Sequence, residues 1–480
     1  MTLSAGGTYA AMLATLVAVA IYAIHASRSM EVTNLKNFVS AKNSQTALRL
    51  AWCFFSAGMG SWTLFSFPEI GVTAGSWGVI GYTLSGVFAL VALGLFGPFS
   101  RSVLGDGETL TDFVFNRYGR VMQIYVGFVS VFYQFISLAS ELTTVGELAA
   151  ILSPNAEPSI PIVAVAVVTN IYLLIGGLRA SLATDVWQGI GVVGLLLIVC
   201  VAMFAHVDIP KGAWSETNVA AFTTEGFETL VTLCIAVTAA NLFFTGYWQR
   251  VYAAYDDRTL YKATFFACLI VIPFTIILAL SGMVSYLAYP DGIYFFAILV
   301  DMGTFWQVLV AMVVASLASS VADSIQIGIA AEFVTNFPSL TITHARAICV
   351  LLNVPAIFIA LKHYNIINLF LIADLLCTAT VGPMLLGIWH RAHPTGAIAG
   401  CAVGLLTIFV NGWIVQGKFV GGFNWFLLPE GLYSVNSMIT FILALVIPTV
   451  TTIGVSLALP PQQPARGAYL PANSPSVNAA

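Results

Sequence analysis

The chain has 480 residues, of which 59% are hydrophobic and only 8% charged, with a net charge of -4 and a mean hydropathy of +0.93. Soluble domains carry about 25% charged residues, so a water-soluble globular fold is excluded, and a recurrence of apolar stretches of about 20 residues points to an all-α polytopic membrane protein embedded in a lipid bilayer. No nucleic-acid partner is expected. The seven cysteines lie in apolar segments without CxxC or Cys/His spacing, which signals neither a structural metal nor a disulfide framework.

In chain order the apolar segments fall at 8–27, 47–73, 74–98, 121–152, 160–176, 182–206, 227–248, 260–288, 305–336, 343–361, 365–388, 394–417 and 434–459. This reading predicts 13 transmembrane helices. The first has no basic segment before it and no A-x-A site after it, so it is expected to be retained rather than cleaved as a signal peptide. With the N-terminus outside and the C-terminus in the cytoplasm, 14 of the 17 Lys and Arg residues gather inside, leaving Lys211, Lys362 and Lys418 outside. That asymmetry is the positive-inside pattern, and the expected location is a plasma or bacterial inner membrane.

Setting aside the first helix and the last two leaves ten, five over 47–206 and five over 227–389. Because five is odd, the second set runs opposite to the first, the layout of an inverted repeat. The predicted organisation is 1–46, first helix and inner loop; 47–206, first repeat; 207–226, outer loop; 227–389, second repeat; 390–459, two accessory helices; 460–480, a disordered tail. Both repeats open on an interrupted helix. The first reads FFSAGMGSWTLFSFPE, with Gly58, Gly60 and Pro68; the second reads TAANLFFTGYWQR, with Asn241, Thr245 and Gly246 at mid-span. Such breaks free carbonyls to meet ions and solutes.

Within the ninth segment, Ser316, Ser319, Ser320 and Asp323 recur at i, i+3, i+4 and i+7 and therefore share one helix face. Hydroxyls and a carboxylate are hard oxygen ligands suited to alkali and alkaline-earth cations. Serines alone also bond back to carbonyls one turn earlier or bridge helices. A carboxylate at membrane depth costs at least about 2.5 kcal/mol on insertion scales and marks a functional position.

Stretches spread over residues 37–391 resemble the sodium/solute symporter family, whose members carry proline, sugars, urea, iodide, pantothenate and sialic acid. They are NFVSAKNSQ, GMGSWTLFSFPE, TLTDFVFNRYG, GGLRASLATDVWQG, YWQRVYAAYDD and ASSVADS. The resemblance implies a five-plus-five inverted-repeat fold, uptake by alternating access, and sodium as the coupling ion. It implies a common sodium site made by the carbonyls of Ser56, Met59 and Ser316 and the hydroxyls of Ser319 and Ser320; a competing register would use Ala315 and Ser316 instead. It also implies a second sodium site at Asp185, Ser319 and Asp323, where Ala322 departs from the family's hydroxyl. With no Lys or Arg expected beside them, the two carboxylates would repel each other unless sodium or a proton lay between.

The solute is expected one layer outward, against Trp62, Ser66, Phe67 and Glu69 beyond the first break, Gln134, Ser137 and Glu141 on one helix face, and Asn241, Phe244, Thr245 and Trp248 around the second break. Because no Lys or Arg is expected at mid-span, a neutral, zwitterionic or cationic small polar solute is favoured. A monomer should suffice for transport. An enzyme is not expected: all six His residues fall at span ends or in loops, and no Ser/His, HExxH or paired Asp motif sits at mid-depth. The alternative is a sodium-permeable channel or a solute sensor on the same scaffold.

Overall fold

The computed structural model describes residues 2–27, 35–104 and 109–460, so residues 461–480 of the predicted disordered tail lie outside the described residues. Hydrocarbon offers backbone groups no hydrogen-bonding solvent, which favours helices that satisfy their own N–H and C=O groups. The described residues are accordingly helical, with one isolated parallel bridge between Gln45 and Ala254 and no named strand.

The helices run α1 (Ala5–Ser27), α2 (Leu35–Val39), α3 (Ala47–Gly58), α4 (Thr63–Leu104), α5 (Leu110–Tyr118), α6 (Arg120–Leu152), α7 (Ser159–His206), α8 (Ala213–Thr217), α9 (Thr224–Asn241) and α10 (Thr245–Ala253). They continue as α11 (Asp257–Ala288), α12 (Tyr294–Met302), α13 (Thr304–Asn336), α14 (Ile342–Leu351), α15 (Asn353–Ala360), α16 (Ile366–Leu385), α17 (Pro394–Gln416), α18 (Phe419–Asn424) and α19 (Val435–Ala458). Among the described residues, ten segments can cross a membrane by length and composition, or eleven when α9 and α10, bent by 62° at their junction, count as one. The chain is thus an integral membrane protein of about ten to eleven apolar spans.

Two helices are too long for a single crossing. At 1.5 Å per residue, the 42 residues of α4 and the 48 of α7 would extend about 63 and 72 Å, roughly twice the hydrocarbon thickness of about 30 Å. Each turns sharply at a glycine with positive φ, Gly75 (φ 59°) in α4 and Gly177 (φ 55°) in α7. Glycine is required twice over at these points, because that backbone region strains other residues and a Cβ would stand 2.5 Å from the Ala221 carbonyl oxygen or 2.3 Å from that of Phe38.

Burial separates the centre from the rim. In α13 and α16, 78% and 72% of the most apolar stretch is buried inside the protein, against 28% in each of α1, α17 and α19. The central α13 packs on α1, α6, α7 and α10, which is why a polar face along it can be shared with several partners. The α3–α4 break opens at Met59, extended at φ -105°, ψ 94°. Side chains from other helices press on its glycines: a Cβ at Gly58 would overlap the Tyr247 hydroxyl and one at Gly60 the Glu141 carboxylate.

Candidate functional site

Between the two breaks lies a cavity lined by residues of both broken helices. Its walls come from both broken helices and from α6 and α16. Trp62, Phe67, Tyr82, Tyr133, Phe244, Tyr247 and Phe370 make it aromatic, and Glu141 and Asp374 are its only charged lining residues. Trp62 packs against Phe370 and Tyr82 at centroid distances of 5.3 and 6.0 Å, and Phe67 against Tyr82 at 4.4 Å.

Glu141 is half used. Glu141 Oε2 accepts the Ser61 backbone N–H (3.0 Å) and the Ser61 hydroxyl (2.7 Å), so the acid braces the first helix break. Its Oε1 is buried without a partner, as is Asp374 Oδ1. Buried polar atoms nearly always have partners. Two free carboxylate oxygens at an aromatic cavity therefore mark a place where positive charge is wanted, and aromatic faces attract the same charge.

Of the residues expected at the solute site, Trp62, Phe67, Ser137, Glu141, Asn241 and Phe244 line this cavity. Ser66, Glu69, Gln134, Thr245 and Trp248 do not. Gln134 and Thr245 bond to each other (3.0 Å) in a separate cluster, while Trp248 is fully buried and its indole N–H donates to the Leu242 carbonyl (2.7 Å), bracing the second break. Tyr82, Tyr133, Phe370 and Asp374 were not anticipated. Asp374 carried a signal, being one of few acids inside an apolar segment, but helix-face geometry relative to α6 is not written in local spacing.

The polar stripe of α13 meets α3 and α7. The Ser320 hydroxyl lies 3.0 Å from the Ser56 carbonyl oxygen and 3.1 Å from Asp185 Oδ1. Ser319 donates to the Ser316 carbonyl (3.1 Å), and the Gln188 amide N–H₂ reaches both Ser319 Oγ (2.8 Å) and the Ser316 carbonyl (3.2 Å). Two pairs of oxygens result, Ser320 with Ser56 and Ser319 with Ser316, the second also held by the Gln188 amide. Met59 lines the solute cavity next door.

One expectation is corrected here. The Asp185–Asp323 pair does have a cation beside it: Arg250, fully buried, places Nη2 2.5 Å from Asp185 Oδ2. The guanidinium also bonds the Ser324 hydroxyl (2.7 Å), the Cys53 carbonyl (3.0 Å) and the Gly246 carbonyl (2.9 Å), joining α10 to α3, α7 and α13. Asp323 is separately satisfied by Tyr172 (2.6 Å), Ser181 (2.7 Å) and Ser324 (3.2 Å). The expectation of no Lys or Arg beside this pair fails for a geometric reason: beyond the break at residues 242–244, α10 continues through the buried interior and carries Arg250 to Asp185.

No family profile matches the chain. Over 420 residues, 83% of this chain and 79% of the relative, it is 27% identical to the spermidine transporter DUR31 of Candida albicans. The structure resembles a Na⁺-coupled sialic acid symporter with a TM-score of 0.72 and 17% identity, covering 96% of this chain and 99% of that one. It also resembles Mhp1, a nucleobase-cation-symport-1 family transporter in a closed conformation with bromovinylhydantoin bound, with a TM-score of 0.57 and 15% identity, covering 90% and 97%. The chain therefore has the fold of a membrane transporter.

Proposed function

We propose that the protein is a secondary active transporter that couples inward sodium movement to the uptake of a small organic polyamine by alternating access. The observation that carries this reading is the cavity at the helix breaks, which has aromatic walls, two buried carboxylates with unpaired oxygens, and no basic lining residue. Each ammonium of a polyamine would take one carboxylate, Glu141 or Asp374, while the rings cover the methylene chain and contribute cation–π attraction. Relatedness to a spermidine transporter supports the same class.

Sodium would bind at the carbonyls of Ser56 and Ser316 and the hydroxyls of Ser319 and Ser320, with Met59 completing about five oxygens from the broken backbone. With Arg250 on Asp185, the charge-repulsion argument for a second sodium at Asp185, Ser319 and Asp323 no longer holds, and the proposal keeps one sodium. The breaks at Gly75 and Gly177 let α4 and α7 each cross twice, which supports thirteen spans, an inverted repeat over 47–206 and 227–389, and an N-terminus outside. On this topology the start of α6 and the end of α13 face the cytoplasm.

Purified protein in proteoliposomes should accumulate labelled spermidine when an inward sodium gradient is imposed and stop when the gradient is collapsed. Accumulation that follows only a proton gradient, or that occurs for urea or proline but for no amine, would overturn the reading.

A further inference from the structure

A second carboxylate-centred cluster lies on the same helices as the cavity. Glu332, fully buried near the end of α13, accepts the Thr245 hydroxyl at Oε1 (2.7 Å) and the Thr111 hydroxyl at Oε2 (2.8 Å). Gln134 donates its amide N–H₂ to Thr245 Oγ1 (3.0 Å) and Ser130 Oγ (3.2 Å), and Ser130 donates to the Phe243 carbonyl (2.7 Å). Four helices contribute: α5, α6, α10 and α13. No basic side chain among the described residues pairs with Glu332.

Counting donors against acceptors leaves the cluster short of positive charge. The hydroxyl protons of Thr111, Thr245 and Ser130 and both amide protons of Gln134 already point at acceptors. The Gln134 side-chain oxygen, fully buried, has no partner, and a carboxylate with two donors retains further acceptor capacity. The Gln134 oxygen can sit against α13 because residue 328, one turn before Glu332, is glycine: a Cβ there would stand 2.4 Å from that oxygen. Unpaired acceptors around a buried acid are costly to leave dry.

Position along the helices gives the cluster its role. Gln134 lies seven residues before Glu141 on α6, about 10 Å toward the Arg120 end, and Thr245 is the first residue beyond the second break. At the Arg120 end, the Arg120 guanidinium meets the Asn336 carbonyl at the end of α13. We propose that Glu332, Gln134 and Thr245 form a second ammonium-binding station, cytoplasmic to the cavity, that receives an ammonium group of the transported amine on its way out. This rests on the uptake of an amine and on the topology proposed above.

The test is sided. Proteoliposomes carrying the parent protein or Glu332→Gln are assayed for spermidine uptake as a function of external spermidine and for spermidine efflux as a function of internal spermidine, with internal sodium varied separately. The expected result is a rise of roughly tenfold or more in the internal spermidine needed for half-maximal efflux, as follows loss of one charge-assisted contact, with the external value unchanged within about twofold. Gln134→Leu, which removes the free acceptor without changing a charge, should give a smaller rise of the same sidedness. Equal effects on both sides, no effect in either variant, or loss of folding in both would assign the cluster to structure and overturn the station. A change in internal sodium dependence alone would identify sodium as its cation and overturn the ammonium assignment. Failure of the parent to carry any amine removes the proposed function first and the station with it.

Discussion

Two pairs of buried carboxylates lie in the same helix bundle and have opposite surroundings. Asp185 and Asp323 are saturated, the first by Arg250 and Ser320, the second by three hydroxyls. Glu141 and Asp374 face a cavity, and each keeps an oxygen without a partner. Burying an unpaired charge is expensive, so an acid held by a buried basic partner, as Asp185 is by Arg250, serves the fold, whereas one left open at a cavity invites a cation from outside. The difference separates a structural clasp from a recognition site more sharply than the identity of the residues does.

The comparison can be broken most severely at Arg250. Arg250→Met strands Asp185 in the interior, and removing one partner of a buried ion pair typically costs about 3–5 kcal/mol. The variant should unfold well below the parent in a detergent thermal melt. Adding Asp185→Asn should restore much of the loss. Equal melting of Arg250→Met and parent would show that the clasp does not hold the bundle together.

The open pair should respond in the reverse manner. Glu141→Gln and Asp374→Asn should each weaken spermidine binding by about tenfold or more, the worth of a charge-assisted contact of about 1.5–3 kcal/mol, while leaving the melting temperature equal or higher. Asp374→Asn is the cleaner of the two, because Glu141 also braces Ser61. Stability lost in step with binding would place both acids with the clasp.

A smaller effect is expected at the stripe. Ser320→Ala removes one of about five sodium ligands and should raise the sodium concentration for half-maximal uptake several-fold, with the Hill coefficient for sodium staying near one in both proteins. A parental coefficient near two would restore the second sodium that Arg250 argues against.

The smallest effect lies at an exposed pair. Exposed Asp301 at the end of α12 accepts hydrogen bonds from His206 (3.1 Å) and Tyr289 (3.1 Å), and these, His206 first, hold its carboxyl below the usual range. A lowered acid contributes stability that is present above its ordinary titration range and lost as pH falls through the lowered value. Asp301 should therefore add no pH dependence to uptake between pH 5 and 8, and Asp301→Asn should change uptake by less than about twofold, as befits an exposed pair. A larger change would make α12 part of the transport cycle.

Local periodicity carried much of this into the sequence. The serine stripe is legible because i, i+3, i+4 and i+7 define one face wherever the helix packs, and the segment boundaries at 73/74 and 176 fall within two residues of the glycine turns at Gly75 and Gly177. Arg250 was illegible as a clasp because a break followed by a polar YWQR reads like a helix leaving the membrane; only the course of α10 puts the guanidinium inside. Gln134 and Thr245 share helix faces with true cavity residues but sit one or two turns deeper, and depth along a helix depends on where its neighbours cross it. Asp374 depended on α16 lying against α6, a contact between residues over two hundred positions apart.

The central claim is that the open carboxylates recognise a solute with two ammonium groups. Equilibrium binding of labelled spermidine to the purified protein in saturating sodium, competed with putrescine and with propylamine, tests it most directly. The account predicts that putrescine displaces spermidine at concentrations at least about tenfold below propylamine, since only the diamine can meet both Glu141 and Asp374, and that Asp374→Asn brings the two competitors together. Equal competition by the monoamine and the diamine in the parent protein would contradict it.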